Sequence, residues 1–99
     1  MAIHIKIKKY SEKNAIHYYH VETQFSNNHD FYIGIDTKEK QLLFFQGNNF
    51  FSPFGQISFE GSQSLNIEGI KTPLVGIIFV KAYRAFKSNK FPEILDYCA

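Results

Sequence analysis

Isoleucines at positions 3, 5 and 7 alternate with His4, Lys6 and Lys8. A period of two with β-branched residues on one side predicts a half-buried strand. The polar stretch 11–14 reads as a loop. Residues 15–25 form a second β-rich run, with aromatics in both parities, so its inward face stays open. Ser26, Asn27 and Asn28 break it. Phe31, Ile33 and Ile35 then alternate with Tyr32, Gly34 and Asp36, a second clean strand. Residues 36–40 make a polar hairpin loop and 42–45 the return strand. Gly47, Asn48 and Asn49 mark another turn, and Pro53 and Gly55 bound an irregular piece. Ile57 and Phe59 alternate with Ser58 and Glu60. After a turn at 61–63, Leu65 and Ile67 suggest a last short strand ending at Gly69.

The pattern changes period after residue 70. Val75, Ile78, Phe79, Ala82 and Phe86 fall at helical spacing on one face. Thr72 suits the N-cap, Pro73 the first helical position, and Asn89 a left-handed end. A helix over 72–89 follows. Its first turns, 74–80, are apolar nearly all round and are expected to be the more deeply buried end. Pro92 is expected to open a second short helix over 92–97. Gly34 and Gly76 sit inside elements and are expected as close-packing points between sheet and helix.

Short loops between strands imply antiparallel neighbours, because parallel crossovers need a dozen or more residues. The fold class expected is therefore α+β: a five- to six-stranded antiparallel meander over 1–70, with the C-terminal helix packed on one face. The 99 residues make one domain, 1–99.

Composition refines this picture in three respects. Eleven Phe and six Tyr with no Trp is a heavy aromatic load, expected in the core and in cross-strand pairs. The lone Cys98 allows no intrachain disulfide, and the N-terminus lacks an apolar signal core, which together suggest the cytoplasm. Net charge is only +2 but segregated. Residues 1–13 and 71–90 are basic, whereas residues 14–70 hold Glu22, Asp30, Asp36, Glu39, Glu60 and Glu68 against Lys38 and Lys40. Such asymmetry permits electrostatic steering of a charged partner.

The candidate chemistry is sparse. His17 and His20 are three apart, which on a strand puts them on opposite faces and argues against one metal site. His4 and His29 meet them only through the tertiary fold. Two histidines with lysines and tyrosines on a sheet also fit an RNase-like acid–base pair. The outer row His4, Lys6 and Lys8 with Tyr32 fits nucleic-acid binding by stacking, but the acidic middle strands oppose it. The glycines are dispersed, so no nucleotide-binding turn is present. The basic positions Lys81, Arg84, Lys87 and Lys90 complement the helix dipole without further explanation. The expectation is therefore no catalytic residue, no metal and no cofactor.

Two stretches carry a family resemblance. One is Asp30-Phe-Tyr-Ile-Gly-Ile-Asp-Thr-Lys-Glu-Lys-Gln-Leu-Leu-Phe-Phe. The other is Val80-Lys-Ala-Tyr-Arg-Ala-Phe-Lys-Ser-Asn-Lys-Phe-Pro-Glu. Their layout resembles bacterial immunity proteins of polymorphic toxin systems, including those of contact-dependent growth inhibition. The resemblance implies a cytoplasmic protein without catalysis that binds one cognate toxin, often a nuclease. Under it, the acidic middle segment would mimic phosphates for a basic toxin domain. Glu22, Asp30, Tyr32, Asp36 and Glu39 are the expected partner-binding residues. A nucleic-acid-binding or RNase-like protein is the alternative, and an inhibitor of some other target a third.

Overall fold

A computed structural model of the chain describes residues 4–23, 31–47, 50–61, 64–95 and 97–98. The strands are β1 (His4–Lys13), β2 (Ile16–Thr23), β3 (Phe31–Asp36), β4 (Gln41–Gln46), β5 (Gly55–Ser58) and, after the helix α1 (Thr72–Ser88), β6 (Tyr97–Cys98). They form one open antiparallel sheet in the order β5-β4-β3-β2-β1-β6. The meander with one helix on a single face matches the α+β expectation.

Side-chain parity divides the sheet into two different surfaces. Ile5, Ile7, Tyr19, Val21, Phe31, Ile33, Ile35, Leu42, Phe44 and Ile57 point to one side and are buried with Val75, Ile78, Ala82 and Ala85 of α1. This parity settles β2: His17, Tyr19 and Val21 pair across from Ile35, Ile33 and Phe31, on the helix side. Phe59 follows β5 and stacks on Phe86 at 4.7 Å, with Phe79 and Tyr83 beside it. A continuous dry layer of this kind, rather than helix propensity, holds the helix in place.

Several boundaries differ from the sequence reading. Residues 11–13 belong to β1, and the turn is only Asn14-Ala15, with φ of 52° and 66°. Two successive positive φ values are the mark of the two-residue hairpin whose twist matches that of its strands. The backbone pairing of Glu12 with His17 and Lys13 with Ile16 needs no apolar side chains, so polarity hid it. The helix cap is Lys71, without a side-chain bond; Thr72 is already helical and Pro73 second. Asn89 does end the helix in the left-handed conformation. The first turns of α1 are not buried all round: Leu74, Gly76 and Ile77 are half-buried and Val80 is 46% exposed. The expected strand at 65–69 is a single bridge between Ile67 and Ile70.

In place of the expected helix over 92–97, residues 92–95 and 97 form an extended strap along β1. Lys9 donates its N–H to the Glu93 carbonyl at 2.6 Å, and Leu95 donates to Ile7 at 2.7 Å. The strap ends in β6, which pairs with His4 and Ile5. A six-residue helix repays little of its nucleation penalty, while the edge of β1 offers ready backbone partners.

A ring-supported loop on the helix-free face

The opposite parity points away from α1. It brings Lys6, Lys8, Tyr10 and Lys13 of β1 alongside Ile16, Tyr18, His20 and Glu22 of β2. Beyond them lie Tyr32, Gly34 and Asp36 of β3, then Leu43 and Phe45 of β4. Tyr18, Leu43 and Phe45 are buried here in a second, smaller cluster with Ile16, Tyr32 and Phe50. Tyr10 joins it because β1 bulges between Lys9 and Ser11, leaving Tyr10 as the extra residue.

Phe50, from the connection between β4 and β5, plugs this cluster. Its ring lies 4.4 Å from Tyr18, 5.3 Å from Phe45, 5.5 Å from Tyr32 and 5.6 Å from Tyr10. Tyr10 also meets Tyr32 edge-to-face at 5.1 Å. Such ring pairs add about 0.5–1.5 kcal/mol each beyond burial. Gly34 makes room for the cluster: a Cβ there would sit 3.0 Å from both Ile16 Cγ2 and Phe45 Cε2. The close approach at Gly34 is therefore on the helix-free face, not between sheet and helix, and Gly76 has open space around its Cα.

The same loop is pinned at its far end, where Phe54 donates its N–H to the Phe44 carbonyl at 2.8 Å. Between the two pins stands Phe51, 99% exposed, with Phe54 40% exposed. A phenylalanine presented to water on an anchored loop is the largest apolar anomaly of the described surface. The turn residues around it, Gly47, Pro53 and Gly55, mark only an irregular piece. The signal was there: three phenylalanines within five residues, with no strand or helix period to explain them.

The structure spreads the five expected partner-binding residues. Glu22 is exposed on β2, across from Lys6, and its carboxylate lies 3.9 Å from His20. Tyr32 is half-buried inside the ring cluster. Asp36 is only 6% exposed, and its Oδ1 accepts the N–H groups of Lys38 and Glu39 at 3.1 and 3.0 Å. Glu39 is exposed at the hairpin tip beyond Asp36, at the other end of β3 from Tyr32. Asp30 lies outside the described residues. Among the other carboxylates, Glu60 lies 3.8 Å from Lys40, and Glu12 lies 3.2 Å from Lys9.

The histidines divide as period two requires. His20 is on the helix-free face, its ring 4.8 Å from Tyr32. His17 is on the helix side, stacked flat on Phe91 of the strap at 3.6 Å. Its Nδ1 is buried and lies 3.2 Å from a Glu12 oxygen, without the alignment of a hydrogen bond. Burial pushes the His17 pKa down, Glu12 pulls it up and Lys9 adds to the lowering. Tyr19 donates its hydroxyl to the Pro92 carbonyl at 2.7 Å, and its pKa is pushed up to about 12, by burial first and then by Glu93 and Glu12. These two histidines cannot act together as acid and base on one substrate, because the sheet stands between them. His29 lies outside the described residues. Among the described residues, no group of three or more His, Cys, Asp or Glu side chains is placed to hold a metal ion, and no helix is long and apolar enough to cross a membrane.

No family model, curated protein or solved structure matches the chain.

Proposed function

We propose that the protein binds and neutralises a cognate protein toxin, a nuclease, in the bacterial cytoplasm, with the loop at residues 50–54 as its anchor. Phe51 carries this reading. Protein interfaces concentrate their affinity in a few aromatic residues that fill pockets on the partner. Such an anchor works best when already rigid before contact, since less freedom is lost on binding. Phe50 in its ring cluster and the Phe54 N–H supply that rigidity. The resemblance of segments 30–45 and 80–93 to immunity proteins supports the same class of function.

The roles of the expected acids change accordingly. Asp36 is a turn residue, and Tyr32 is support for the loop. Glu22 and Glu39 remain as exposed carboxylates, Glu39 at the opposite strand end from the loop, and act on a basic partner by long-range steering.

The test is rescue of growth. The toxin to express, with and without this chain, is the C-terminal domain of a large reading frame found to adjoin this gene. Wild-type protein restores growth. Phe51→Ala and Phe54→Ala, checked for unaltered thermal unfolding, do not. Full protection by the doubly substituted chain would remove the loop from the account, and no protection by the wild type would remove the toxin.

A further inference from the structure

The helix-free face has a second region with a different character, along β1 and β2. Ile5 and Ile7 are fully buried in the helix-side core, so the alternate residues Lys6 and Lys8 must leave the strand on the other side. Lys13 leaves on that side too, across from Ile16, and all three are exposed. Residues two apart on a strand are about 6.8 Å apart, so Lys6 and Lys8 form a linear row of ammonium groups. Tyr10 continues the row and is 51% exposed. His20 sits across from Lys8 and Tyr10 meets Tyr32, which puts flat rings directly beside the cations.

Most of the described acids of the middle segment stand away from this row. Of the middle-segment carboxylates, Asp36 is buried in its turn, Glu39 is at the hairpin tip and Glu60 faces Lys40. Among the described residues, Glu22 is the carboxylate that faces the row, across from Lys6 and 3.9 Å from His20; Asp30 lies outside the described residues.

We propose that the strip Lys6, Lys8, Tyr10, Lys13 and His20 binds single-stranded nucleic acid. The lysines track the phosphates, and unpaired bases lie against Tyr10 and His20. Splayed bases of a single strand can lie against rings on a flat sheet surface, whereas paired bases keep their faces stacked inside a duplex. The aromatic rings favour a nucleotide chain over an acidic peptide, which would use the lysines alone. This activity does not depend on the toxin reading, because Phe51 takes no part in it.

The test is fluorescence anisotropy of the full chain with a labelled oligouridine of about 12 nucleotides. Three phosphate contacts on a single strand predict a slope of log K against log salt of about −2. The pair Lys8→Glu and Lys13→Glu should weaken binding at least about tenfold and flatten that slope. Tyr10→Leu keeps an apolar side chain on the cluster but removes the ring; it should weaken binding about tenfold with the slope unchanged. Tyr10→Phe should bind as the wild type, and so should Phe51→Ala. Absence of binding at about 50 mM salt overturns the proposal. So does equal binding of polyglutamate or of a duplex, or a Tyr10→Leu protein that binds as the wild type. Failure of growth rescue with intact oligouridine binding would refute the toxin reading alone.

Discussion

Replacing Asp36 by Ala should damage the fold rather than an interface. The carboxylate is 6% exposed, and one oxygen receives two backbone N–H groups, from Lys38 and Glu39. The turn it organises is also docked: Thr37 gives both its N–H and its hydroxyl to the Ala15 carbonyl, at 3.0 and 2.9 Å. Hydrogen bonds to a charged acceptor contribute about 1.5–3 kcal/mol each, but turn N–H groups regain water once the side chain is gone. Loss of a comparable side-chain cap costs about 0.5–2 kcal/mol. Two N–H groups on one buried oxygen place Asp36→Ala at about 2–3 kcal/mol. At about 4–8 °C per kcal/mol for a domain of this size, Tm should fall by about 8–24 °C. Asp36→Asn keeps an acceptor oxygen and should lose about 1 kcal/mol. Urea titration followed by circular dichroism reads both, as a lower midpoint at unchanged slope. A midpoint equivalent to less than about 0.5 kcal/mol of change, the level of an ordinary surface substitution, would refute the reasoning and return Asp36 to the surface.

Ala15 holds φ of 66° at the second position of a two-residue hairpin turn, where Asn-Gly is preferred. Ala15→Gly relieves about 1–2 kcal/mol of left-handed strain and gives back about 0.4–1 kcal/mol of unfolded-state entropy, so Tm should rise by a few degrees in a thermal melt. A lower Tm would contradict the turn assignment. His17 has its pKa lowered by burial, so the unfolded chain takes the proton first. Its contribution to stability is complete above the unfolded value of 6.5 and is lost as pH falls from there toward the lower folded value. His17→Phe keeps the stack on Phe91 and should shrink the loss of stability in that window, measured by urea midpoints against pH; an unchanged profile would contradict it. Tyr19→Phe strips the Pro92 carbonyl of its 2.7 Å donor and should cost about 1–2 kcal/mol, with faster amide exchange at Leu95 as the strap loosens. Unaltered exchange there would refute the link between ring and strap.

How far the fold could be read from the sequence follows from where side-chain period and backbone pairing agree. Ile5 and Ile7, Phe31 to Ile35, and the helical spacing of Val75, Ile78 and Ala82 each place apolar groups against one layer, and all three elements are where the pattern put them. Residues 11–13 pair through the backbone without apolar side chains at a solvent-exposed hairpin tip, so their polarity carries no trace of it. The strap, residues 91–95 and 97–98, depends on an open edge of β1, a tertiary fact that no local window contains. The acids at 36 and 39 look alike in composition, yet only Asp36 can reach back to the N–H groups two and three residues on. Phe51 stands among Gly, Pro and Asn punctuation, which marks a loop but not which of its side chains meets water.

The most direct test of the central claim is the dissociation constant of the cognate toxin domain for wild-type chain and for Phe51→Ala. Filling a partner pocket with one phenylalanine contributes at least about 2 kcal/mol, so Phe51→Ala should weaken binding by at least about 30-fold, chiefly through faster dissociation. Equal constants for the two proteins, with the toxin bound, would contradict it.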